Sequence, residues 1–159
     1  ADHGAFPTVC IFRPTVGSRM EHLPSPDPAE MEVVMRAVWD ACRRRELRFQ
    51  RCTACRRFRH PPMPGCPHCG DTAVEWVRVA GRGRIFSYTI AHHAAVPALA
   101  SEVPYNVVVV AFDDAPGARL VTNVVEASEE AIYVGCEVEV VWDEPSPDVV
   151  LPRARLIAG

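Results

Sequence analysis

The chain has 159 residues, of which 48% are hydrophobic and 23% charged, and its formal charge of −3 goes with a pI of about 6.1. These are ordinary globular proportions, which exclude a fibrous repeat or a disordered tail and argue against a protein that coats nucleic acid through bulk charge. No apolar run reaches the roughly 18 residues that span a bilayer, so no membrane partner is expected and the expected location is the cytoplasm.

All 17 basic residues are arginine, which suits the coding bias of a GC-rich genome. Residues 1–26 carry Gly4, Pro7, Pro14, Gly17, Pro24 and Pro26 without a sustained period and read as an extended arm or linker. A short Val9-Cys10-Ile11-Phe12 patch within it could dock elsewhere. The first residue is Ala1, so excision from a longer polypeptide is one expectation.

A helix start follows, with Asp27 as N-cap, Pro28 in the first turn and Glu30 placed for a capping box. Met31, Val34, Met35, Val38, Trp39 and Cys42 recur at helical spacing, giving one apolar stripe over an amphipathic helix within 27–46. The stripe suits either a core face or a helix laid in a partner's groove. Arg43, Arg44 and Arg45 close it, where cations complement the helix dipole.

Leu47 and Phe49 alternate with Arg48 and Gln50 in a short strand that runs into Cys52-Thr-Ala-Cys55. Cys66-Pro-His-Cys69-Gly70 repeats the CxxC spacing after a loop stiffened by Pro61, Pro62 and Pro64. Two such pairs place four sulfurs for a tetrahedral Zn²⁺ at Zn–S distances of about 2.3 Å, with no coordination position left for water or substrate. The expected metal ligands are therefore Cys52, Cys55, Cys66 and Cys69, holding a structural zinc, against the alternatives of two disulfides or unrelated thiols. A rubredoxin-like iron site is a further alternative, for which the gap between the pairs is short. Cys10, Cys42 and Cys136 remain as an odd set, expected to be buried free thiols in a reducing compartment.

From about residue 74 the chain becomes a series of β-type runs. Val74 to Val79 and Arg84 to Ala91 flank Gly81-Arg-Gly83, read as a bend in one long curved strand. Tyr105 to Phe112, Arg119 to Val125, Glu137 to Trp142 and Val149 to Ile157 follow, the last with Pro152 and so expected at an edge. Five strands without a long helix among them suggest a closed or nearly closed OB-fold barrel. The expected fold is mainly β with an N-terminal helix: an arm at 1–26, the helix at 27–46, a zinc ribbon at 47–72 and a five-stranded OB-fold barrel at 73–159.

Taken together, the Trp39 helix, Leu47 and Phe49 before Cys52, the two knuckles around Pro61-Pro62, the run from Gly81 to Thr89, and Gly135 before Val138 and Val140 resemble the DUF35 family. Those proteins are OB-fold, acyl-CoA-associated and carry an N-terminal rubredoxin-like zinc ribbon; the resemblance covers about 28 to 158. It departs where relatives commonly place a glycine and this chain has Arg45-Glu46-Leu47. The resemblance implies an accessory role, with no catalytic residue of its own, beside a thiolase-superfamily partner of aldolase or thiolase type. There the chain would help form the acyl-CoA site, with steroid side-chain degradation as the setting. A MaoC-like enoyl-CoA hydratase is the alternative partner.

Nine of the 17 arginines fall between Arg36 and Arg59. The planar guanidinium fork suits the phosphates of coenzyme A, so Arg51, Arg56, Arg57 and Arg59 are the candidate CoA contacts. A solvated helix end with ion pairs accounts for the same cluster. The His92-His93 pair has no neighbouring nucleophile or carboxylate and is not assigned a catalytic step. A second class of function, single-stranded nucleic-acid binding by an OB and zinc-ribbon protein, would need Phe86 and Tyr88 together on one outward face, as their spacing suggests. The negative charge and sparse aromatics make nucleic acid the weaker partner.

Overall fold

The computed structural model describes residues 27–94, 96–97 and 100–157. The expected arm at 1–26, with its Val9 to Phe12 patch and Cys10, lies outside them.

Helix α1 (Pro28–Arg43) begins as its sequence requires. The Asp27 carboxylate accepts a hydrogen bond from the Ala29 N–H at 2.8 Å, and Pro28 occupies the first turn where no intrahelical donor is needed. Met31, Ala41 and Cys42 are buried, and the helix lies against the last strand of the chain. The helix ends in a Schellman turn: Arg45 N–H donates to Cys42 O at 2.8 Å and Glu46 N–H to Ala41 O at 3.0 Å.

A small sheet follows, ordered β2–β1–β3, from β1 (Arg48–Cys52), β2 (Phe58–Arg59) and β3 (Val74–Arg78). Here the structure departs from the expected long curved strand. Val74–Arg78 pairs antiparallel with β1 across its whole length, Phe49 standing opposite Val77, and only after Val79 does the chain enter the second sheet. The two glycines at the crossing have different work. Gly81 has φ +76°, a left-handed conformation, while a Cβ on Gly83 would come within 2.4 Å of the Ala111 carbonyl oxygen.

The second sheet is built from β4 (Arg82–Ala91), β5 (Tyr105–Ala111), β6 (Arg119–Thr122), β7 (Val124–Val125), β8 (Glu137–Ser146) and β9 (Val149–Leu156). Its order is β6–β5–β4–β8–β9–β7, with β7 parallel to β9 and the other pairs antiparallel. The connectivity is that of an OB-fold, and because both ends of this order belong to one continuous segment, the sheet curls back on itself into the expected nearly closed five-stranded arrangement. Its ends, β6 and β7, are consecutive pieces of the single expected strand at 119–125, divided at Asn123.

The division has a physical cause. The Asn106 side chain donates to Val124 O at 2.8 Å and accepts from Val124 N–H at 2.6 Å, taking the place of a strand neighbour. Asn123 donates through Nδ2 to Asn106 O and accepts from the Arg153 guanidinium through Oδ1. Its own carbonyl accepts from Ala154 N–H at 2.9 Å, and the segment changes partners there, from β5 to β9. Pro152 does not mark an edge as expected: it stands opposite Trp142 inside the β8–β9 ladder. Ala154 N–H faces Asn123, so by alternation the Pro152 nitrogen faces that side too, and its missing donor costs the β8 pairing nothing.

One core joins both sheets. Leu47 and Phe49 of the small sheet are buried together with Ile85, Val108, Val110, Phe112 and Val138 of the large one. The Phe49 ring packs 5.3 Å from Phe112 and meets His60 edge-on at 5.1 Å.

Candidate metal centre and its arginine surround

The two cysteine pairs adopt the same backbone figure. In the first, Arg56 N–H donates to Cys52 O at 3.0 Å and Cys52 N–H donates to Arg57 O at 3.0 Å. In the second, Gly70 N–H donates to Cys66 O at 2.9 Å and Cys66 N–H donates to Asp71 O at 2.8 Å. The left-handed residue of each turn occupies the same place, Arg56 with φ 62° and Gly70 with φ 78°. Glycine announces that conformation in the second knuckle; arginine conceals it in the first.

These turns bring four sulfurs together. Cys52 and Cys69 Sγ atoms lie 3.6 Å apart, as do those of Cys55 and Cys66, and all four lie within 4.8 Å of one another. Sulfurs bound tetrahedrally at Zn–S distances of about 2.3 Å stand roughly 3.8 Å apart, so the thiols fit a zinc ion. They are positioned as a tetrad rather than as disulfides, and Cys52 and Cys66 are buried.

The local electrostatics suit a cation. The Cys55 and Ala54 amides hold the Cys52 thiol below its ordinary value, and the His68 and Cys69 amides hold Cys66 down at about 6. The Asp71 amide also favours a Cys69 thiolate, yet crowding by Cys52, burial, and the nearby Cys66 and Cys55 push Cys69 up to about 12. Four thiolates so close repel one another, and a divalent cation among them removes that repulsion. Cys52, Cys55, Cys66 and Cys69 would hold the metal; with four sulfur ligands it supplies a structural crosslink.

Of the four candidate CoA arginines, Arg51, Arg56 and Arg57 are at least partly exposed around the knuckles and Arg59 is buried. Arg51 and Arg56 converge on Glu75 Oε1 at 2.9 and 2.6 Å, and Arg51 with Arg56 holds the Glu75 carboxyl below the usual range. Arg57 lies 3.0 Å from His68 Nδ1 at the second knuckle. Arg59 departs from the expectation. It is buried, donating through Nε to Gln50 Oε1 at 2.7 Å and through Nη2 to Met63 O at 3.0 Å, with Nη1 also enclosed. Gln50 accepts from Met63 N–H as well, at 2.8 Å, so this pair ties the proline-rich loop to β1. Sequence reading missed this role; the signal was a polar residue continuing the buried end of a strand whose neighbours are Phe49 and Cys52.

The remaining candidates fall out as follows. His92 and His93 are exposed just beyond β4. Cys42 and Cys136 are buried free thiols, and burial pushes Cys42 up. Phe86 and Tyr88 do not share a face. A bulge between Ile85 and Ser87 leaves Phe86 unpaired; Tyr88 then stands opposite the fully buried Val108, while Phe86 lies beneath the Arg119 guanidinium at 3.8 Å on the outer surface. The paired aromatic platform expected of a nucleic-acid reader is absent from the described residues. No described helix is long and apolar enough to cross a membrane.

Comparison with known proteins agrees with this architecture. Residues 39–75 match the family described as "ChsH2, rubredoxin-like zinc ribbon domain", and residues 76–143 match "ChsH2, C-terminal OB-fold domain". A solved structure titled "Ltp2-ChsH2(DUF35) aldolase" superposes with a TM-score of 0.67 at 42% identity, covering 76% of this chain and 93% of that one. The chain is 41% identical over 148 residues to a "Probable enoyl-CoA hydratase alpha subunit" of Thermomonospora curvata, covering 91% of this chain and 44% of that protein. It is 27% identical over 125 residues to the "3-oxo-4,17-pregnadiene-20-carboxyl-CoA hydratase alpha subunit" of Mycobacterium tuberculosis, covering 74% and 39%. The chain thus spans less than half the length of either curated relative.

Proposed function

This chain belongs to the DUF35 family of ChsH2-type zinc-ribbon and OB-fold proteins, and from that premise we propose that it is the non-catalytic subunit or domain of an acyl-CoA enzyme complex. Its partner is a thiolase-superfamily enzyme of aldolase type, and it helps form the acyl-CoA site of that enzyme. The acyl group is a steroid side chain. The observation that carries this reading is the 42% identity to the DUF35 chain of the aldolase structure over nearly all of that chain.

The chemistry of the site supports the accessory role. A metal held by four thiolates has no open position at which to activate water or polarise a carbonyl. The chain's own residues bind and position: Phe49 and Phe112 fix the ribbon against the large sheet, and Arg56 and Arg57 stand at the rim of the two knuckles. With Arg51, they are the arginines we assign to the CoA phosphates; Arg59 is spent on the loop.

A second reading has its own support. The hydratase alpha subunit of Thermomonospora curvata matches 91% of this chain, which favours a MaoC-like hydratase as the other partner. Co-expression with each candidate enzyme, then assay of the complex and of the separated chains, distinguishes the two. Aldol cleavage by the thiolase-type complex alone supports the first; hydration by the MaoC-type complex alone supports the second.

A further inference from the structure

The large sheet has an edge that nothing in the described chain covers. β8 pairs with β4 only at Arg82, Gly83 and Arg84, although β4 continues to Ala91. The turn before β8 covers one more residue: Ile85 N–H donates to Cys136 O at 3.0 Å, and Ile85 O accepts from Gly135 N–H at 2.8 Å.

Beyond Ile85 the direction of the backbone groups can be read from β5. Asn106 O accepts from Asn123 Nδ2 at 2.5 Å, so the Asn106 main chain faces β6 and away from β4. Residues directly opposite in an antiparallel pair either exchange both hydrogen bonds or neither. Ile90 stands opposite Asn106, so its N–H and C=O point outward, and those of Tyr88, two residues earlier, point the same way. Among the described residues, no backbone group pairs with them.

This edge also lacks the usual protection. Isolated edges are blunted by charge, proline or shortness. Elsewhere the sheet follows that practice: β7 has two residues and β6 begins with Arg119. The run Ile85-Phe-Ser-Tyr-Thr-Ile-Ala91 has neither a charge nor a proline. Exposed apolar side chains flank it, with Phe86 55% exposed and Tyr133 and Val134, just before the Gly135 that pairs with Ile85, 61% each.

We infer that an extended segment of the partner enzyme adds to β4 as a strand, pairing with the outward main-chain groups of Tyr88 and Ile90 and laying apolar side chains beside Phe86. Unpaired donors and acceptors at strand spacing specify another strand, where an apolar patch alone would accept any greasy surface. The inference rests on the proposed accessory role, which it makes specific at one edge.

Amide-resolved hydrogen exchange, on the free chain and on its complex with the co-expressed candidate thiolase-superfamily enzyme, tests this. In the free chain the Tyr88 and Ile90 amides exchange freely while Thr89, which faces β5, is protected. In the complex Tyr88 and Ile90 slow by about 100-fold or more. Ile90→Pro, which removes the outward donor, weakens the complex at least about tenfold, the factor for one lost hydrogen bond; Ile90→Val does not. A complex with unprotected Tyr88 and Ile90 overturns the inference and leaves the accessory role standing. Protection already present in the free monomer, from the chain's own residues, or present only in a self-associated dimer, also overturns it. If no complex forms with either candidate enzyme, both readings fall. Should Ile90→Pro not fold, the exchange measurement decides.

Discussion

Arg45 closes helix α1 with φ 54°, and its Nη2 donates to Glu144 Oε1 on β8 at 2.5 Å. A left-handed helix terminus is the place where glycine is ordinarily favoured, which gives the arginine of Arg45-Glu46-Leu47 its physical meaning. The backbone of a glycine terminus is retained, and the side chain ties the helix to the large sheet. Both partners are more than half exposed, so the ion pair contributes at most about 1 kcal/mol, while the left-handed conformation costs about 1–2 kcal/mol. Arg45→Gly should therefore be neutral or stabilising by up to about 1 kcal/mol in urea unfolding, and Arg45→Ala destabilising. Equal stability of the two variants would contradict the assigned turn.

Gly83 offers a sharper case. Its added Cβ would lie 2.4 Å from Ala111 O and 2.9 Å from Val110 Cγ1, both on the adjacent strand. Backbone cannot move aside as a side-chain end can, so Gly83→Ala should cost about 2–3 kcal/mol. Thermal unfolding of the variant checks this, and an unchanged midpoint would show that β4 and β5 separate more easily than their register implies.

The metal centre makes a compositional prediction. The protein as purified should bind one zinc per chain, and Cys52→Ser or Cys66→Ser should lose it together with solubility and partner binding. Structural zinc contributes on the order of 10 kcal/mol to small domains, so strong chelation should unfold the ribbon. Elemental analysis and circular dichroism report the two effects. A folded, soluble, metal-free Cys66→Ser protein would refute the structural assignment.

His60 sets an acid sensitivity. Burial beside Phe49 pushes its imidazole down to about 4, below the ordinary value of about 6.5. Protonation therefore favours the unfolded chain: the contribution is fully present above about pH 6.5 and is lost as pH falls toward 4. Between pH 7 and pH 5 the wild type should lose about 2 kcal/mol more stability than His60→Gln. Acid release of metal affects both proteins and cancels in the difference. Parallel stability curves would contradict a buried neutral His60.

The arginine assignment is separable from the fold. Arg56→Ala with Arg57→Ala should weaken acyl-CoA binding by the complex, by about tenfold for two exposed phosphate contacts, and leave assembly unchanged. Isothermal titration with an acyl-CoA gives the affinity. Undiminished binding removes these residues from the CoA site.

Much of this was legible in the residues because the signals are local. Asp27-Pro28 announces a helix start, and two CxxC pairs announce a tetrad, whatever surrounds them. What escaped depends on distant partners. Val74–Arg78 and Arg82–Ala91 carry the same β-type residues, so nothing local tells that one pairs with β1 and the other with β5. The break at Asn123 exists because Asn106 and Arg153 meet it from elsewhere in the chain. The bulge at Phe86 reversed the expected face of Tyr88, since one extra residue flips every side chain after it. Arg59, read as a surface cation, is drawn inward by Gln50.

The central claim is that this chain completes another enzyme's acyl-CoA site without doing chemistry itself. The most direct measurement is turnover of a steroid-derived hydroxyacyl-CoA by the co-purified thiolase-type complex, by each chain alone, and by the two chains recombined. The account predicts activity in the complex and on recombination, and none in this chain alone. Turnover by this chain alone would contradict it.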